Sequence, residues 1–81
     1  MDAIATFYSH FGAVRFRKMC ADAGWAASMA PVPRSLSSSC GTCVRFTGTD
    51  MSPVLPVPEE VEQIVEDTGS GYVPLYRAEN S

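Results

Sequence analysis

A ferredoxin-like α+β fold, ordered β-α-β-β-α-β, is what the residue pattern of this chain predicts. Three observations lead to it. Short β-branched and aromatic runs recur between glycine and proline breaks, an amphipathic helix follows the first run, and a second apolar stripe at helical spacing precedes the last. Two helices would then cover one face of a four-stranded antiparallel sheet. The 81 residues leave room for one core, so 1–81 reads as a single domain. A hydrophobic fraction of 46% argues against disorder outside the ends and one proline-rich stretch.

Ala3-Ile-Ala-Thr-Phe-Tyr8 is mostly apolar and bounded by polar residues, which suits a buried strand. Ser9 stands where a helix N-cap belongs, because its hydroxyl can accept from an unpaired amide of the first turn. From His10 to Ala23, the residues Phe16, Met19, Cys20 and Ala23 recur at spacings of three and four. They share one stripe, while Arg15, Lys18 and Asp22 face water. Gly24 supplies a left-handed stop. Trp25 to Val32 reads as a second strand, whose pairing should fade where Pro31 and Pro33 remove two amide donors. Ser35-Leu-Ser-Ser-Ser39 is a polar loop. Thr42-Cys-Val-Arg-Phe46 is β-branched and aromatic and predicts a third strand antiparallel to the second.

Residues 47–58 form a proline-rich connector. Pro58 fits a first helical position, with Glu59 and Glu60 near the positive end of the helix dipole. Val61, Ile64, Val65 and Thr68 fall at i, i+3, i+4 and i+7, and Gly69 ends the run, which predicts the second helix. Tyr72-Val-Pro-Leu-Tyr76 closes as an edge strand, since Pro74 cannot donate to a central ladder. Residues 78–81 read as a flexible tail.

The net charge of −3 conceals an asymmetry. Arg15, Arg17, Lys18, Arg34 and Arg45 oppose only Asp2 and Asp22 in the first part of the chain. In the second, Arg77 opposes Asp50, Glu59, Glu60, Glu62, Glu66, Asp67 and Glu79. Two solvated faces are the simplest reading, because exposed charges contribute little, although such a split also suits the orientation of a charged partner. Dispersed cations without interleaved aromatics make no nucleic-acid surface. Met1-Asp2-Ala3 lacks the basic region of a signal peptide, and no apolar run approaches about 18 residues, so no membrane span is expected and the cytoplasm is the expected compartment.

Three cysteines in such a chain point to free thiols rather than a disulfide framework. Cys20 lies on the apolar stripe and reads as a small core hydrophobe. Cys40 is different. It follows three serines and precedes Gly41, so neither neighbour buries it by bulk. Arg34 and Arg45 flank it in sequence. If the loop folds back, either guanidinium could stabilise a thiolate, which is the nucleophilic form. An exposed loop cysteine with two unrelated arginines weighs evenly against that reading. Cys43 completes Cys40-Gly-Thr-Cys43, but a dithiol of the CxxC kind wants its first thiol at a helix N-terminus. In an extended segment three residues span about 10 Å, beyond the roughly 7 Å a disulfide tolerates. A structural zinc site takes about four ligands, and only His10 and Cys20 could join the pair. No Ser/His/Asp set, P-loop or GxGxxG is present, and no cofactor is implied.

Taken together, the opening strand and helix, Pro31-Val-Pro-Arg34, the serine loop, Cys40-Gly41, Arg45 and the Glu-rich stretch with its Tyr-containing last strand resemble the selenium/sulfur carrier protein-like family. The resemblance covers nearly the whole chain and is most specific over Pro-x-Pro-Arg, the serines and Cys-Gly. It implies a carrier rather than a stand-alone enzyme. Cys40 matches the thiol that would take up sulfur or selenium as a persulfide or selenopersulfide. Gly41, Arg34 and Arg45 match the substrate-binding residues around it. The partners implied are a cysteine desulfurase or selenocysteine lyase as donor and a downstream acceptor protein. Cys43 stands where the family pattern suggests a small apolar residue, which makes it a candidate resolving thiol, and the 47–58 connector is longer and richer in proline than that pattern. Two other readings stand beside the carrier: an interaction or regulatory module without chemistry, and a thiol–disulfide module using Cys40 and Cys43.

Overall fold

Strand β1 (Asp2–Phe7) lies at the centre of the sheet, buried from Ala3 to Phe7, in the computed structural model, which describes residues 2–48 and 57–78. Helix α1 (His10–Asp22) begins at the predicted cap, where the Ser9 hydroxyl accepts from the Gly12 N–H at 3.3 Å. Phe16 and Cys20 of the expected stripe are buried against the sheet together with Ala13. Gly12 has no room for a Cβ against Glu60, so the start of the helix packs closely on the residue that leads into the fourth strand. After α1 the chain reverses through Gly24, whose φ of +81° suits glycine.

Strands β2 (Ala26–Pro31) and β3 (Thr42–Thr47) pair antiparallel, as the sequence predicts, and β3 pairs antiparallel with β1 on its other side. β3 therefore sits between β1 and β2. That insertion is the split βαβ unit from which a ferredoxin-like arrangement is built.

The second helix is a correction. Residues 61–67, expected to be helical, form strand β4 (Val61–Asp67), which pairs with β1 on one side and with β5 (Tyr72–Arg77) on the other. Among the described residues there is one helix rather than two. The sheet has, among the described residues, five antiparallel strands in the order β2-β3-β1-β4-β5 rather than four. A β-bulge explains the difference. Phe7 pairs with Val61 and Thr6 with Gln63, so Glu62 has no partner on β1. The extra residue lets Val61 and Ile64, three positions apart, both join the core on the helix side. A helical spacing is thus reproduced by a strand, and the β-branched Val61, Ile64 and Val65 favour the strand. Strand β5 lies at the sheet edge, as Pro74 requires, and a second irregularity leaves Leu75 without a partner on β4. Of the connector expected over 47–58, residues 49–56 lie outside the described residues, as do 79–81 of the expected tail.

Each face of the sheet has its own core. On the helix side Phe7, Phe16, Phe46 and Trp25 form a row with successive ring centroids 5.4, 5.4 and 5.5 Å apart. On the other side Ile4, Cys43 and Val65 are covered by Val32 and Leu36 from the loop between β2 and β3, with Ala30 and Tyr72 beside them.

Candidate functional site

The loop between β2 and β3 wraps around one end of the sheet. Pairing continues one residue past Pro31, where the Val32 N–H donates to the Gly41 carbonyl at 3.2 Å. Pro33 then opens a turn closed by the Leu36 N–H on the Pro33 carbonyl at 3.0 Å. The turn drops Leu36 onto the Ile4–Cys43–Val65 face. Four residues later Cys40 packs against the helix-side core instead. One short loop therefore straddles the sheet end, closing both faces.

The serines between these two contacts are held by polar groups on β1 and β4. The Ser37 carbonyl accepts from Gln63 Nε2 at 2.9 Å. The Ser38 hydroxyl donates to the Phe7 carbonyl at 3.4 Å and accepts from the Cys40 N–H at 3.4 Å. Ser39 gives the Glu62 carboxylate both its N–H, at 3.3 Å, and its hydroxyl, at 2.8 Å. Fully buried Thr6 donates to the same carboxylate at 3.2 Å. Glu62 is the bulged residue of β4. Freed from the regular alternation, it meets Thr6 on the face opposite the aromatic row.

Gly41 follows Cys40 at φ +75°, a conformation in which a side chain is strained even though no atom lies within 4 Å of the place a Cβ would take. The glycine is there for its backbone. It turns the chain so that the half-buried Cys40 thiol donates back to the Thr42 carbonyl at 3.4 Å.

The three cysteines are free thiols, and Cys40 alone is not buried. Burial on the inner face of α1 pushes the Cys20 thiol up to about 11. Burial also pushes Cys43 up, with the Arg45 guanidinium partly opposing the shift and Cys40 adding to it. The Cys43 thiol donates to the Pro31 carbonyl at 3.6 Å. Cys40 and Cys43 thus belong to opposite faces of the sheet, with no bond between them.

The predicted cations are divided. Arg45 lies on the Cys43 face, two residues along β3, and pairs with Asp67 at 3.6 Å. Its charge acts on Cys43. Arg34 is exposed on the turn and makes no hydrogen bond or ion pair among the described residues. Glu62, Gln63 and Thr6, which shape the loop, carry no signal of that role in the sequence, where the spacing of Val61, Ile64 and Val65 predicts a helix with a solvated carboxylate face. Among the described residues no group of three or more His, Cys, Asp or Glu side chains could hold a metal ion, and no helix is long and apolar enough to cross a membrane.

No curated protein and no solved structure matches the chain. A protein-family model does, described as "Putative Se/S carrier protein-like", and it matches residues 2–76.

Proposed function

The chain belongs to this Se/S carrier protein-like family, and from that premise we propose that it carries sulfur or selenium on the thiol of Cys40. The observation that carries the reading is the contrast among its thiols: Cys20 and Cys43 are sealed in the two cores, and Cys40 is half-exposed on a loop held to the sheet end. A carrier needs a reachable sulfur on a rigid support, and it can leave activation to a partner.

In the loading step the Cys40 thiolate attacks the outer sulfur of a persulfide on a donor of the cysteine desulfurase type. A new S–S bond forms on Cys40, the donor's S–S bond breaks, and its electron pair leaves on the donor thiolate. The exchange has no net oxidation. A selenopersulfide from a selenocysteine lyase type of donor would transfer its selenium in the same way. Unloading repeats the step, with a nucleophile of the acceptor protein taking the terminal atom and the Cys40 thiolate leaving. Arg34, uncommitted on the same loop, suits the terminal anion once the loop meets a donor. Gly41 sets the backbone that presents the thiol. Arg45 supports the other face.

A resolving role for Cys43 has less support. It would attack the inner sulfur, form a Cys40–Cys43 disulfide and expel hydrosulfide, but its thiol is buried under Val32 and Leu36 on the opposite face.

The test is incubation with a cysteine desulfurase and cysteine, followed by intact-mass analysis. A gain of one sulfur atom is expected, reversed by dithiothreitol and absent from Cys40→Ser. Wild-type protein that takes up no sulfur from a competent donor overturns the reading, and a gain that persists in Cys40→Ser moves the acceptor to another thiol.

A further inference from the structure

Cys40 reaches its place through a residue that carries no chemistry of its own. The loop from Ser37 to Cys40 has no regular secondary structure, yet each of its serines is tied to a strand. The ties differ in kind. Ser37 and Ser38 use neutral groups, whereas Ser39 gives two hydrogen bonds to the charged carboxylate of Glu62, the shorter of them 2.8 Å. Bonds to a charged acceptor are roughly twice as strong as neutral ones. Ser39 is also the residue directly before the thiol.

Glu62 is itself held in place. Its carbonyl accepts from the Ala78 N–H at 3.0 Å, and its carboxylate accepts from buried Thr6. In an unbulged strand residue 62 would point with Ile64 into the helix-side core, where a carboxylate could not stay. The bulge is what turns it toward Thr6 and Ser39. A one-residue irregularity in β4 thus places an anchor under the loop end that bears Cys40.

We infer that Glu62 is the positioning residue of the Cys40 thiol: its carboxylate latches Ser39 to β4 and so fixes how far Cys40 stands out from the sheet end. The inference deepens the carrier reading and rests on Cys40 being the working thiol. A partner that competes for the Glu62 carboxylate, or draws Ser39 off it, would let Cys40 swing outward while Leu36 stays seated on the opposite face.

The three thiols report on this without any sulfur chemistry. Each is labelled with iodoacetamide in the native protein and read by peptide mass. In Glu62→Ala, Cys40 should react on the order of fivefold faster than in wild type, the effect of losing a charge-assisted tie, while Cys20, on the buried face of α1, keeps its wild-type rate. Glu62→Gln, whose amide can accept from the Ser39 N–H and donate to its hydroxyl, should bring Cys40 back to within about twofold of wild type. Ser39→Ala removes the 2.8 Å bond alone and should give a smaller rise; it carries the test if Glu62→Ala does not fold. An unchanged Cys40 rate overturns the latch. So does a parallel rise at Cys20, which means general loosening, or a Glu62→Gln rate no lower than that of Glu62→Ala. Sulfur loading is scored separately. If wild-type protein takes up none, the carrier reading fails while the labelling still decides the role of Glu62.

Discussion

The two faces of the sheet are closed by different means. Helix α1 closes one with a row of four aromatic rings and a fully buried Cys20. The other is closed by a loop, with Leu36 and Val32 laid over Ile4, Cys43 and Val65, and the loop is tied down by hydrogen bonds to Glu62 and Gln63. Apolar area removed from water is hard to undo locally, because lifting a helix exposes all of it together. A polar tie exchanges with water at little net cost. The comparison teaches where a small chain can keep a movable group: on a loop that hydrogen bonds hold to the sheet end, with the helix side supplying the stability.

Three measurements can break or sharpen that contrast. The largest effect is expected from Phe16→Ala, which removes the ring between Phe7 and Phe46 and should cost about 3–5 kcal/mol in chemical denaturation. A loss below about 1 kcal/mol would mean that the helix side is no stronger than the loop side. Next comes pH. The Cys20 thiol is raised from 9.0 to about 11 in the folded chain, so between those values the unfolded chain loses the proton first. Its contribution to stability is intact below pH about 9 and falls as pH rises toward 11, by on the order of 2 kcal/mol. Denaturation midpoints followed through that window should fall less steeply in Cys20→Ala than in wild type; parallel falls would show that Cys20 is not the group responsible. The smallest effect belongs to the half-buried Leu36. Leu36→Ala should cost only about 1 kcal/mol yet speed alkylation of Cys43 with Cys20 unaffected. Protection of Cys43 that survives the substitution would assign its cover to some other group.

The first part of the fold was legible because its signals agree. Ser9, the Phe16–Cys20 stripe and Gly24 mark one helix by cap, period and stop, and the β-branched run of β3 follows a proline-marked loop. The second part was not, because a bulge imitates a helix: Val61, Ile64 and Val65 carry helical spacing, and only the pairing partner on β1 reveals that Glu62 is supernumerary. The family resemblance, most specific from Pro31 to Gly41, and the loop position of Cys40 were legible in the sequence. The groups that hold Cys40 could not, since they come from β1 and β4 and nothing local in Ser37-Ser-Ser39 says which strands will meet them. Arg45 shows the same limit. Its sequence distance from Cys40 suggested a neighbour, while the alternation of β3 sends it to the Cys43 face.

The ties that hold the loop join residues far apart along the chain: Ser39 and Glu62 are 23 positions apart, Ser38 and Phe7 are 31, and Thr6 and Glu62 are 56. A synthetic peptide spanning the loop would contain the thiol and none of its anchors. Such distant partners meet only after much of the chain has been brought together, at the full entropic cost of closing those loops. The nascent chain therefore carries a Cys40 without its β4 anchors until β4 has docked beside β1, and a cell that makes this protein exposes that sulfur to stray chemistry until that strand is in place.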